Sequence, residues 1–181
     1  MEPIATHAAF PQGYWLRRGT ERDRPLLVHC MQRTYCEVNP DVPLSRSQEA
    51  VAQFFSDQTP LWFVELEGSS TVDASPTRAT TQRLANATAS DSAAIACLWM
   101  GNAVDQVRGD RHAHIFLIYV DPAHRRRGIG SALVAQAEGW ATARGDRQIG
   151  LQVFQSNQAA LSLYTQLGFE ARSLWLAKPL V

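Results

Sequence analysis

Three consecutive arginines, Arg125, Arg126 and Arg127, run directly into Gly128-Ile129-Gly130 and then Ser131. Glycines let backbone N–H groups approach an anion closely. Arginines add charge-assisted hydrogen bonds, and a helix start presents unpaired N–H groups with partial positive charge. Together these suit a pyrophosphate. Taken alone, the same residues also read as a solvated surface turn before a helix. Neither the dinucleotide fingerprint G-x-G-x-x-G nor the triphosphate loop ending in G-K-[ST] is present.

A second set of reactive side chains lies just upstream, on the apolar run His112 to Val120. Strict alternation would place His112, His114, Phe116, Ile118 and Val120 on one face. Histidine moves protons near neutral pH, although a structural histidine at a strand end is the plainer reading. Glu65 and Glu67 read more simply as solvated strand charges than as cleft acids. Trp62, Trp99, Trp140 and Trp175 read as core residues more readily than as ligand platforms. Cys30, Cys36 and Cys97 form no C-x-x-C pair, so neither a zinc site nor a disulfide framework is expected. No metal is expected.

The chain has 181 residues, 45% of them hydrophobic, which suits one domain with a substantial core. Lys and Arg total 17, as do Asp and Glu, so there is no basic excess for nucleic acid. Residues 1–11 lack the pattern of a signal peptide, and no apolar run approaches the roughly 20 residues of a membrane helix. A cytoplasmic protein without membrane or nucleic-acid partners is expected.

These residues need positioning elements. Tyr14 to Arg17 reads as a strand. Thr20 with Asp23 resembles a helix start, and helical spacing covers 21–37. Ser45 with Gln48 resembles a capping box for a second helix carrying Val51, Phe54 and Phe55. Leu61 to Leu66 reads as a strand. Residues 68–92, rich in Ser, Thr and Ala and without aromatics, read as a flexible insertion. Strands follow at 94–100 and 112–120, a helix from Ile129 closed by Gly145, a strand at 149–154, a helix from Ser156 or Asn157 closed by Gly168, and a last strand at 171–178. Consecutive strands imply antiparallel hairpins, and strand-helix-strand implies a parallel crossover. The expected fold is α/β, a mixed and mostly antiparallel central sheet with helices on both faces, in a single domain spanning 1–181.

Val120-Asp121-Pro122 followed by Arg125-x-x-Gly128-x-Gly130 resembles motif A of the GNAT superfamily of N-acetyltransferases. A second segment, Asn157-x-x-Ala160-x-x-Leu163-Tyr164 and then Gly168-Phe169, is similar to the family's downstream motif. The resemblance implies an acyltransferase that uses acetyl-CoA as cosubstrate. It implies that the pantetheine arm lies along Ile118, Tyr119 and Val120, and that the pyrophosphate meets the backbone from Arg126 to Ser131, with Arg125 and Arg126 adding charge. Arg127, Gly128, Ile129 and Gly130 belong to that cofactor segment. Asn157 matches a cofactor contact, with a plain helix cap as its simpler role. Tyr164 matches the general acid that protonates the leaving thiolate, with a core aromatic as the alternative. The Val120 N–H would polarise the thioester carbonyl.

His114 matches the position of a catalytic glutamate or histidine in some members, and His112 would act through a water. Gln152 departs from the glutamate base of relatives that acetylate ribosomal-protein N-termini. The expected acceptor is a small-molecule amine, less readily a peptide amine. A non-catalytic acyl-CoA-binding module is the alternative. Related proteins are often dimers, so a homodimer stays open.

Overall fold

The computed structural model describes residues 9–56, 58–67, 94–105, 107–178 and 180. Five strands form one sheet in spatial order 1-2-3-4-5: β1 Tyr14–Arg18, β2 Leu61–Leu66, β3 Ala96–Val104, β4 Arg111–Val120 and β5 Ile149–Leu151. The first three junctions are antiparallel and β4 pairs with β5 in parallel. This matches the expected hairpins and crossover. The proposed insertion at 68–92 lies outside the described residues.

Among the described residues there are four α-helices: α1 Arg24–Val38, α2 Leu44–Phe54, α3 Ile129–Ala143 and α4 Gln158–Gln166. Alternation along the strands divides the core in two. Ile129, Leu133, Ala137 and Ala141 of α3 pack with Trp62, Val64, Leu98, Met100 and Ile115 on one face. Leu27, Cys30 and Met31 of α1 and Val51 of α2 pack with Phe63, Cys97, Trp99 and Leu117 on the other. Each fully buried Leu or Phe contributes about 1.5–3 kcal/mol.

The helix starts follow local chemistry. The Thr20 N–H and hydroxyl both donate to Asp23 Oδ2, at 2.8 and 3.0 Å, and Pro25 lies in the first turn of α1. Gly145 (φ 79°) and Gly168 (φ 86°) end α3 and α4 in the left-handed region that favours glycine.

Three expectations are corrected. Pro43, extended at φ −69° and ψ 145°, occupies the start of α2, so Ser45 falls within the helix and caps nothing. β5 stops at Leu151, where pairing with β4 ends, rather than reaching Phe154. Residues 171–178 form no strand, because no described strand pairs with them; Leu174, Trp175 and Leu176 are largely exposed, so Trp175 is not core.

Candidate active site

At the end of β4 the chain turns sharply into α3. Asp121 Oδ1 accepts the Ala123 N–H at 2.9 Å, and Pro122–His124 form a short 3-10 turn. Burial works the other way, but the Ala123 N–H and the Arg33 guanidinium hold the Asp121 carboxyl below its ordinary range. Arg33 reaches Asp121 Oδ2 at 2.8 Å, which ties α1 to the turn.

The loop that follows carries two left-handed residues, Arg126 at φ 63° and Gly128 at φ 84°. A non-glycine residue there costs roughly 1–2 kcal/mol, and such alternation turns successive N–H groups into one concavity. Ala132, which donates to Gly128 O at 3.0 Å, makes the first hydrogen bond of α3. The N–H groups of Ile129, Gly130 and Ser131 therefore have no partner within the helix. A Cβ on Gly130 would sit 3.1 Å from Leu163 Cδ2, so this glycine allows α4 to press against the start of α3.

The three arginines are not equivalent. Arg125 is held by Glu37 and by Val120 O, the latter at 3.0 Å. Arg127 donates to Tyr14 Oη at 3.1 Å and to Ala123 O at 3.3 Å. Tyr14 in turn lies 2.8 Å from His124 Nδ1. Arg126 is exposed, and among the described residues it has no partner.

Beside this loop the sheet opens. Pairing between β4 and β5 covers only Ala113↔Ile149, His114↔Gly150 and Ile115↔Leu151. The Asp121 N–H donates to Ile95 O at 2.8 Å. Hydrogen-bonding direction alternates along an antiparallel strand, so Tyr119 also turns its amide toward β3. Ile118 and Val120 turn theirs toward the gap. Of the three residues expected along a pantetheine arm, two therefore offer backbone groups there and Tyr119 does not.

The single-face expectation for β4 is overturned by a β-bulge. Trp99 pairs with Leu117 and Met100 with Ile115, which leaves Phe116 without a partner. The extra residue flips the alternation. Ile118 and Val120 join Ala113 and Ile115 on the α3 face, whereas Leu117 and Phe116 pack on the α1–α2 face. His114, paired with Gly101, shares the α1–α2 face with Phe116 and not the face of Val120. The sequence signal for the bulge is a glycine inside a strand. A Cβ on Gly101 would lie 2.0 Å from Phe116 Cε2.

His112 and His114 stand side by side, ring centroids 6.5 Å apart. Gly150 makes room for both: its Cβ would meet His112 Nε2 at 3.2 Å and His114 Nδ1 at 3.5 Å. Burial, and then the neighbouring His112, lower the His114 pKa from 6.5, so it is neutral at pH 7. His112 Nδ1 is buried without a hydrogen-bond partner among the described residues.

An aromatic cluster borders His114. Phe116 lies 5.5 Å from His114, 5.0 Å from Trp99 and 6.4 Å from Phe54. Tyr35 and Phe154 meet edge-on at 6.4 Å, linking α1 to the segment after β5. Phe54 and Phe154 are each about half exposed.

Asn157 caps α4: its Oδ1 accepts the Ala160 N–H at 3.1 Å, which leaves its amide NH2 available. The Tyr164 ring packs on Phe169 at 5.5 Å, and burial raises its phenol above the ordinary pKa of 10. Glu65 is engaged by Arg17 at 2.6 Å, away from any role as a cleft acid. Trp62 and Trp99 are buried, as expected.

A sequence profile of the acetyltransferase (GNAT) family matches residues 48–169. An uncharacterized N-acetyltransferase of Methanocaldococcus jannaschii is 39% identical over 83 residues, covering 44% of this chain and 35% of its own length. The [ribosomal protein bS18]-alanine N-acetyltransferase of Escherichia coli (strain K12) is 39% identical over 72 residues, covering 40% and 48%. The chain thus spans less than half the length of these curated relatives. Among solved structures, a GCN5-related N-acetyltransferase from Ralstonia eutropha JMP134 superposes with TM-score 0.67 at 21% identity, covering 93% of this chain and 99% of that one. An aminoglycoside N-acetyltransferase in complex with CoA superposes with TM-score 0.60 at 17% identity, covering 94% and 99%. The profile match takes in the loop from Arg125 to Gly130, the opened sheet edge and the helix bearing Tyr164, and on it this chain belongs to the acetyltransferase (GNAT) family.

Proposed function

We propose that the protein is an N-acetyltransferase that moves an acetyl group from acetyl-CoA directly to a primary amine. One observation carries this reading: a concave loop with unpaired amides at the start of α3 continues into a sheet edge whose Ile118 and Val120 amides face an open gap. That shape fits a pyrophosphate followed by an extended amide-bearing arm. Arg126 supplies the free charge for the pyrophosphate, with Gly128 to Ser131 providing backbone donors. Arg125 and Arg127 hold the loop through Glu37, Val120 and Tyr14. The Asn157 NH2 is free for a further contact.

Acetyl-CoA supplies the activated acyl carbon as a thioester. The chain's own residues do the rest. His114 lies six residues before Val120 on β4, about 20 Å along an extended strand, far beyond the roughly 3 Å of proton transfer. At about 13 Å along the strand, a gap for waters to bridge, Ile118 is nearer. Its N–H polarises the thioester carbonyl, in the manner of an oxyanion hole. His114, kept neutral by burial, accepts the proton lost by the acceptor nitrogen through bridging waters, with His112 beside it. Tyr164, kept protonated by burial, donates a proton to the departing sulfur.

The aromatic walls beside His114 and the lack of a free carboxylate on α1 or α2 favour a small amine with an apolar body. Glu37 and Glu49 are engaged by Arg125 and Arg46. The bS18-alanine relative keeps a peptide N-terminus as a second reading, weakened by Gln152. A panel of amines, amino acids and peptides, with free thiol release as readout, tests the proposal. Turnover on at least one amine is expected. Tight CoA binding without turnover on any amine would make the chain a binding module instead.

A further inference from the structure

We propose that Tyr35 and Phe154 form an aromatic bridge across the open gap between β4 and β5, and that this bridge makes the site select an amine over water as the nucleophile. The inference rests on the reading of that gap as the seat of the acetyl-CoA arm.

Three contacts hang the last turns of α1 over the mouth of the gap. Arg33 reaches Asp121 Oδ2 at 2.8 Å and lies over the Tyr119 ring at 5.3 Å. Glu37 holds Arg125. Between them Tyr35 meets Phe154 edge-on, ring centroids 6.4 Å apart and planes at 85°. Arg33 and Glu37 thus anchor α1 on the β4 side, and Tyr35 reaches across to the chain that leaves β5. The last β4–β5 pair is Ile115↔Leu151. Counting three residues further along each chain sets Phe154 level with Ile118, whose N–H is assigned to the thioester carbonyl.

The two faces of the gap differ. On the α3 face Ile118, Val120, Leu151 and Phe169 pack against the core of Ile129 and Leu133. The α1–α2 face, which carries His114, is the side from which an acceptor arrives. There Tyr35 is half-buried against the α1–α2 core, whereas Phe154 is 53% exposed. One ring of the bridge is therefore fixed by packing and the other is free to turn aside. A water that met the thioester would bond through its oxygen to the acyl carbon. The C–S bond would break, the sulfur would take a proton, and acetate and the free CoA thiol would leave. Ring carbons offer such a water no hydrogen bond, and closing an acyl centre behind apolar surface excludes it. An amine with an apolar body replaces the contact between the two rings with one of its own, and so opens the bridge without wetting the thioester.

The test follows free thiol release from acetyl-CoA by the whole chain with no amine present, beside calorimetric titration with CoA. Phe154→Ala should speed hydrolysis about tenfold, the factor that one aromatic contact is worth, at unchanged CoA affinity. Its ring is half exposed, so its loss leaves the core intact. Tyr35→Ala should act likewise, and the double variant should hydrolyse no faster than either single one, because only one bridge is lost. Tyr35→Phe keeps the ring and should restore slow hydrolysis. Hydrolysis that stays at the level of the unaltered chain in both alanine variants, while CoA still binds, overturns the bridge. So does equal hydrolysis in Tyr35→Phe and Tyr35→Ala. An unaltered chain that binds no CoA overturns the acetyl-CoA reading itself, and the bridge with it.

Discussion

Replacing Gly101 with alanine perturbs the bulge of β4 through one added carbon. That carbon would lie 2.0, 2.5 and 2.9 Å from Phe116 Cε2, Cζ and Cδ2, distances no real Cβ tolerates. Gly101 is buried and does not occupy the left-handed region, so the cost is steric and not conformational. The Phe116 ring, which borders Trp99, His114 and Phe54, must move. Overpacking of this kind costs about 1–3 kcal/mol, or roughly 2–4 °C of melting temperature per kcal/mol for a chain of this size. In a Phe116→Ala background the obstacle is gone. There the same substitution should cost almost nothing, or gain about 0.5–1 kcal/mol from the lower chain entropy of alanine in a strand. A double-mutant cycle by urea unfolding should therefore show a coupling of about 1 kcal/mol or more. Because the displaced ring borders His114, Gly101→Ala should also raise KM for the amine while leaving KM for acetyl-CoA unchanged. Equal costs in both backgrounds would refute the close approach of Gly101 and Phe116. A rise in acetyl-CoA KM alone would refute the assignment of this wall to the acceptor side.

The remaining predictions concern chemistry and binding. Tyr164→Phe should lower kcat by roughly a hundredfold with little change in acetyl-CoA affinity; unchanged turnover removes Tyr164 from the acid role. His114 is needed deprotonated, and its pKa is lowered from 6.5, so activity should rise with pH below that value and be level by neutrality. The fall from loss of the Tyr164 proton should come only above pH 10. His114→Ala should erase the rising limb, and an unaltered profile refutes its role as base. Arg126→Gln should weaken acetyl-CoA binding about tenfold, measured by titration, and more than Arg127→Gln does. Joining Glu67 to Ala93 by a short turn, in place of the Ser/Thr-rich stretch 68–92, should preserve folding and activity. The Ile95 N–H donates to Val64 O at 2.9 Å, so the ends of β2 and β3 already lie together.

Local chemistry made much of this protein legible in one dimension. The Thr20 and Asp23 start of α1, the glycines ending α3 and α4, and the hairpin and crossover order all depend on residues close in the chain. The loop from Arg125 to Gly130 belongs with them, since a helix start and its glycines are properties of a few consecutive residues. What the sequence could not carry depends on partners far away. The face of His114 turns on the bulge at Phe116, which exists because Gly101 on the neighbouring strand leaves room for a ring. The difference among Arg125, Arg126 and Arg127 rests on Glu37 and Tyr14, about ninety and more than a hundred residues distant. Residues 171–178 have strand-like composition but no described strand beside them, and a strand needs a neighbour to hydrogen-bond. The sequence by itself determined the elements and the anion loop. The tertiary structure decided which side chains share a face and which charge is free, because pairing register and long-range ion pairs are set only when distant strands and helices meet.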